Sequence, residues 1–256
     1  MNNTLFDLTG KSALITGGSK GIGEAIARAF VQAGADVMIS SRTAADLQSA
    51  AERLEKEASS KVYWHQADMT HREEADALGH SAIKQLGKVD ILVNNAGTNI
   101  PEELHELTDS SWDTMLELNL TSCVRLARQL SPAMAERSWG RIIYIASIMG
   151  SVGASGRSTY CATKAALIGS SHAQALELGS SGVTVNCISP GPIMTDLPKE
   201  ALSDAQKEKF TQVTALARWG EPDEIAGPAL LLASDAGSYI TGSNLTVDGG
   251  VTIRGF

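Results

Sequence analysis

The sequence predicts an α/β fold, a doubly wound and mainly parallel sheet with helices on both faces. Three observations carry that expectation. Short apolar runs rich in β-branched residues recur along the whole chain, as in strands buried on both sides. Helix-length segments separate them, and strand–helix–strand alternation implies right-handed crossovers. The first run empties into a glycine-rich turn that opens a helix.

In chain order the strand-like runs are SALIT (12–16), DVMISS (36–41), KVYWHQ (61–66), DILVNN (90–95), RIIYIAS (141–147), VTVNCIS (183–189) and NLTVDG (244–249). The first helix spans 21–34, with Ile22, Ala25, Ile26, Ala29 and Phe30 at helical spacing and Gly34 suited to a left-handed cap. Long amphipathic helices are expected at about 112–137, with Thr108 and Ser111 at its approach, and at 158–179. No linker or repeat divides the 256 residues, so one domain is expected over 1–256. The segment from Pro190 to Trp219 is long and non-strand, which predicts a lid over the site.

Composition excludes several classes. A formal net charge of -8 argues against nucleic-acid binding and against attraction to anionic membranes. No apolar stretch reaches about 18 residues, so no membrane span is expected, and the N-terminus lacks a signal-peptide pattern. Cys123, Cys161 and Cys187 are widely spaced and odd in number, which predicts reduced thiols, no metal and a cytoplasmic location. His65, His71, His80, His105 and His172 lack metal-ligand spacing.

The chemistry begins at Thr16-Gly17-Gly18-Ser19-Lys20-Gly21-Ile22-Gly23. A strand, a glycine turn and a helix N-terminus present backbone N–H groups and a positive dipole end to an anion. Glycine permits close approach of a pyrophosphate. The spacing GxxxGxG differs from the general dinucleotide fingerprint, and a glycine turn alone is weak support.

The loop has company. Asn94-Asn95-Ala96-Gly97 closes the fourth run, Ser147 the fifth and Pro190-Gly191-Pro192 the sixth, while Tyr160-Cys-Ala-Thr-Lys164 opens a long helix. Together these motifs resemble the short-chain dehydrogenase/reductase family in its single-domain form, from Leu8 to Gly250. The resemblance implies a Rossmann-type sheet of seven strands in the order 3-2-1-4-5-6-7. It also implies hydride transfer between a nicotinamide cofactor and a secondary alcohol or ketone, with Asn119, Ser147, Tyr160 and Lys164 as catalytic residues. The residues themselves support part of this. Tyr160 and Lys164 lie four apart and share a helix face. A free phenol has a pKa of about 10, and a neighbouring ammonium favours the phenolate. Such a phenol can exchange a proton with an alcohol or ketone oxygen.

By resemblance the cofactor set comprises Gly17, Ser19, Lys20, Gly21, Ile22, Gly23, Ser41, Arg42, Asp68, Met69, Asn95, Ala96, Gly97, Tyr160, Lys164, Pro190, Gly191, Ile193 and Thr195. Within it, Asp68 is expected at the adenine amino group and Ile193 at the carboxamide. The second run ends Ser40-Ser41-Arg42, with no acidic residue before Asp46. An acid there would grip a ribose 2′-OH, whereas Arg suits a 2′-phosphate. Arg42 and Lys20 therefore predict NADP(H) over NAD(H).

For the substrate, two branches of the family compete: gluconate 5-dehydrogenase-like enzymes and 3-oxoacyl-[acyl-carrier-protein] reductases. The latter carry arginines late in two helices to dock an acidic carrier, where this chain has Pro132 and Leu176. A small hydroxylated or sugar-acid ketone is therefore expected, in a pocket of Ser147, Met149, Arg157, Tyr160 and Met194, with Asn99 and Trp219 near it. A silent cofactor-binding regulator is the remote alternative, opposed by the intact tetrad. The resemblance also implies a homodimer or homotetramer paired through the long helices.

Overall fold

In the computed structural model, residues 4–57, 60–195 and 203–253 are described. Seven strands form one parallel sheet: β1 (Ser12–Thr16), β2 (Asp36–Ser41), β3 (Val62–Gln66), β4 (Ile91–Asn94), β5 (Gly140–Ile145), β6 (Val183–Pro190) and β7 (Asn244–Val247). Their order is β3-β2-β1-β4-β5-β6-β7, as expected. The order reverses between β1 and β4, and that crevice at the strand C-termini is where such sheets bind ligands.

Alternation along each strand feeds two cores. On one face Ala13, Ile15, Val37, Ile39, Ile143 and Ile188 pack against α1 (Gly21–Gln32), α2 (Ala44–Glu55) and a late helix at Asp223–Ala233. On the other, Leu14, Met38, Leu92, Ile142, Tyr144 and Val185 meet α3 (Arg72–Leu86) and the two long helical segments. The central strands β1, β4, β5 and β6 are buried throughout, while edge strand β3 leaves Trp64 exposed.

The expected helix 112–137 needs correction. It starts earlier, at Asp109, and consists of α4 (Asp109–Leu116), a wide π-type turn (Glu117–Thr121) and α5 (Ser122–Glu136). Thr108 caps α4, its Oγ1 accepting the Ser111 N–H at 3.1 Å. In the wide turn the Ser122 N–H reaches Glu117 O, five residues back. The Ser122 hydroxyl donates to Leu118 O and the Cys123 thiol to Asn119 O. Periodicity does not reveal such a bulge, because the wide turn is only five residues long and amphipathic helix flanks it on both sides.

α6 (Ser158–Leu178) matches its expected span, and Gly34 takes φ +97 after α1. In the segment expected as a lid, β6 runs through Pro190 and α7 covers Asp204–Val213, while residues 196–202 lie outside the described residues. The late helix is α8 (Asp223–Ala233).

Candidate active site

The glycine loop joins β1 to α1 at the sheet's switch point. Gly17 and Gly21 adopt φ +65 and +59, open to glycine without strain. The loop is braced from behind. Asn95 Nδ2 donates to Thr16 O at 2.9 Å and Gly17 O at 3.1 Å, and Thr16 Oγ1 accepts the Asn95 and Ala96 N–H groups. Among the described residues no side chain caps the N-terminus of α1, whose N-cap is the exposed Lys20. The first-turn amides therefore stay available to an anion.

A dinucleotide fits this cradle. A Cβ on Gly17 would stand 2.8 Å from Asn95 Nδ2, and one on Gly21 3.2 Å from Thr195 Cγ2, so Thr195 faces the loop from the β6 side. At the end of β2 the Ser41 hydroxyl is buried without a hydrogen-bond partner among the described residues. The exposed Arg42 makes no ion pair there among the described residues. Asp68 uses one carboxylate oxygen to accept from the Thr70 N–H and hydroxyl. Burial raises its pKa, but the Thr70 bonds and the His71 and Arg42 charges outweigh that and hold it below the usual range. Its second oxygen can accept from an amino group. Met69, next in sequence, is buried, so its side chain serves the core.

The expected catalytic residues converge at the ends of β4 and β5. Lys164 is 4% exposed and donates from Nζ to Ile145 O at 2.8 Å. Its ammonium lies 5.6 Å from the centre of the Tyr160 ring. No carboxylate pairs with Lys164 among the described residues, and two N–H donors remain. A buried, unpaired ammonium is costly, which marks a functional site. Asn119 is fully buried at the centre of the wide turn. Its amide grips Thr98 at both ends, Oδ1 accepting the N–H and Nδ2 donating to the carbonyl, each at 2.8 Å, and Nδ2 also reaches Thr163 Oγ1 at 3.2 Å. A Cβ on Gly97 would meet Asn119 Oδ1 at 3.2 Å and Lys164 Nζ at 3.5 Å, so both groups flank that glycine. Ser147 follows β5 and accepts the Met149 N–H at 3.1 Å, leaving its own O–H to donate.

Around them, Tyr160, Met149, Arg157 and Met194 are half-buried. Ile193 pairs with Gly220 in an isolated parallel bridge, and Met194 N–H donates to Gly220 O, which fixes the strand that leaves β6. Trp219 turns to α7 instead of the tetrad. Its indole N–H donates to Lys207 O, and its ring meets Phe210 edge-on at 5.0 Å. The sequence reading missed Thr98, Thr163 and the Ile145 carbonyl. All three act through backbone or short polar contacts to the tetrad, and only the fold brings them within reach.

This arrangement can cradle a dinucleotide beside a cluster of groups able to exchange a proton. A family model described as enoyl-(acyl carrier protein) reductase matches residues 17–252. The chain is 41% identical over 97% of its length to nodulation protein G of Rhizobium sp. (strain N33), covering 100% of that protein. It is 38% identical over 95% of its length to the 3-oxoacyl-[acyl-carrier-protein] reductase of Chlamydia muridarum, covering 98% of that protein. A solved 7α-hydroxysteroid dehydrogenase, complexed with NADH and a 7-oxo bile acid, superposes at TM-score 0.93 with 35% identity, covering 98% of this chain and 97% of that one. A provisionally named gluconate dehydrogenase from Agrobacterium tumefaciens reaches TM-score 0.92 at 29% identity, covering 97% and 98%. The chain belongs to the short-chain dehydrogenase/reductase family and is an NAD(P)-dependent oxidoreductase acting on CH–OH groups.

Proposed function

We propose that the chain uses NADP(H) to interconvert a small polar ketone, hydroxylated or carboxylated, and its secondary alcohol. The observation that carries this is the buried Lys164 ammonium, unpaired by any described carboxylate, beside Tyr160 and Asn119 at the mouth of the glycine cradle. The bound nicotinamide supplies or accepts the hydride. Tyr160 exchanges the proton with the substrate oxygen. Ser147 donates its O–H to that oxygen as charge develops. Lys164 would hold the nicotinamide ribose beside Tyr160, and Asn119 fixes the Thr98 backbone beside the ammonium. Pro190, Gly191, Ile193 and Thr195 would hold the nicotinamide, and the described residues of the segment 190–219 of this single domain would serve as the lid.

Selectivity for the 2′-phosphate rests on Arg42 and Lys20, both exposed near the cradle with no described ion pair. Kinetics with both cofactors test it: kcat/KM higher for NAD than for NADP rejects the assignment.

The substrate reading is supported by Arg157, half-buried three residues before Tyr160, where it can bind a carboxylate. It is supported also by Leu176, 87% exposed where a carrier-docking reductase needs a cation. The second reading, reduction of 3-oxoacyl carrier-protein thioesters, is favoured by the named relatives. A panel of sugar acids, polyols and β-ketoacyl thioesters separates the two. Turnover of acetoacetyl thioester alone replaces the first reading with the second. Pairing of α5 and α6 between copies gives a homodimer or homotetramer, which light scattering tests. Three free thiols suit a reducing cytoplasm.

A further inference from the structure

One ion pair outside the tetrad joins the two ends of the site. Arg72 opens α3, directly after the β3 loop that carries Asp68. Its guanidinium forks onto Glu117, with Nε 3.0 Å from both carboxylate oxygens and Nη2 2.8 Å from Oε2. Glu117 is the first residue of the wide turn, and Asn119 is its centre.

Two features give this pair leverage. A π-type turn is uncommon and poorly self-supporting, so its register depends on outside contacts. In addition, the start of α3 is itself fixed to the β3 end. Asp68 N–H donates to Glu74 Oε2 at 2.7 Å, and His71 N–H donates to Asp68 O at 3.0 Å. Asp68, Glu74, Arg72, Glu117 and Asn119 thus form a continuous mechanical link.

We propose that Arg72 and Glu117 are positioning residues: their two-pronged contact sets the register of the wide turn so that the Asn119 amide clamps Thr98. The proposal rests on the reading of Asn119 as part of the proton-handling group. Arg72 is 58% exposed at its side chain, so the pair contributes little to global stability. A planar fork nevertheless fixes direction as well as distance. Positioning and stability therefore separate experimentally.

The test uses Arg72→Met, Glu117→Gln, their double variant and Arg72→Lys in the full chain. Each single change is expected to lower kcat about three- to tenfold, with NADPH affinity within about twofold and the unfolding midpoint unchanged. The double variant loses no more than either single, and Arg72→Lys recovers part of the loss because it keeps the charge without the fork. In the cofactor-free protein, amide exchange of the segments containing Thr98 and Asn119 speeds up about three- to tenfold in Arg72→Met. Unchanged kcat with unchanged exchange overturns the proposal. So do single losses that multiply in the double variant, or a fall in midpoint that tracks the fall in activity. If the wild-type chain turns over no ketone at all, the proposed function fails, and the exchange comparison still decides the role of the pair.

Discussion

Replacing Gly23 by alanine tests the cradle most directly. A Cβ there would stand 2.6 Å from Asn95 Nδ2 and nearer still to the Gly17 carbonyl oxygen, whereas real Cβ contacts essentially never fall under 3.0 Å. Neither neighbour yields cheaply. The Gly17 oxygen is backbone, and Asn95 Nδ2 is held by Thr16 O and Gly17 O. The start of α1 must lift from the loop. Overpacking of this kind costs about 1–3 kcal/mol. Loss of the two Asn95 bonds adds about 1 kcal/mol each. A destabilisation of roughly 3–5 kcal/mol follows, and because the displaced amides belong to the proposed pyrophosphate site, NADPH dissociation should rise at least about tenfold. Urea unfolding and NADPH fluorescence titration measure both. Gly227→Ala is the control: it lies in α8 with nothing within 4 Å of its Cβ position, and helix propensity predicts a neutral or slightly stabilising change. If Gly23→Ala unfolds at the wild-type midpoint and binds NADPH as tightly, the reasoning about close approach is wrong.

Other outcomes follow from the same geometry. Tyr160→Phe removes the exchangeable proton beside Lys164, so kcat should fall by about 10²-fold or more while NADPH binding stays within about twofold; near-normal turnover refutes the proton role. Burial pushes the Cys187 thiol up to about 11, above the ordinary thiol range, with the Ser171 contact opposing. The unfolded chain therefore ionises first, so the stabilisation is complete below about pH 9 and is lost as pH rises towards about 11. Over that window wild type should lose up to about 2–3 kcal/mol more than Cys187→Ala, and parallel alkaline urea curves for the two proteins would contradict this. Ala217 is exposed at φ +53, a left-handed conformation that costs a Cβ-bearing residue about 1–2 kcal/mol. Ala217→Gly should raise stability by about 0.5–1 kcal/mol, read as a higher urea midpoint.

Most of the architecture was legible in the residues alone. β1 and β2 fall on their expected spans, because a fully buried strand is an uninterrupted apolar run with sharp polar ends. Tyr160 and Lys164 were readable because a four-residue helical spacing is a local property. Gly17 and Gly21 were readable for the same reason: the turn they permit is set by their own backbone freedom, whereas the need for Gly23 comes from its close approach to Gly17 and Asn95. The strand order came from resemblance, since hydrogen-bond pairing between distant strands leaves no local mark.

Other features belong to the tertiary structure. The wide turn at Glu117–Thr121 is invisible to periodicity, yet it determines where the Asn119 amide points. Asn95 reads as a ligand residue in sequence, but its side chain is occupied in holding Thr16 O and Gly17 O. The Lys164 ammonium finds Ile145 O from nineteen residues away. Local sequence determines which conformations each segment favours. Only packing brings polar groups remote in the chain to within 3 Å of one another, and hydrogen bonds at that range determine the direction of the Lys164 and Asn119 side chains.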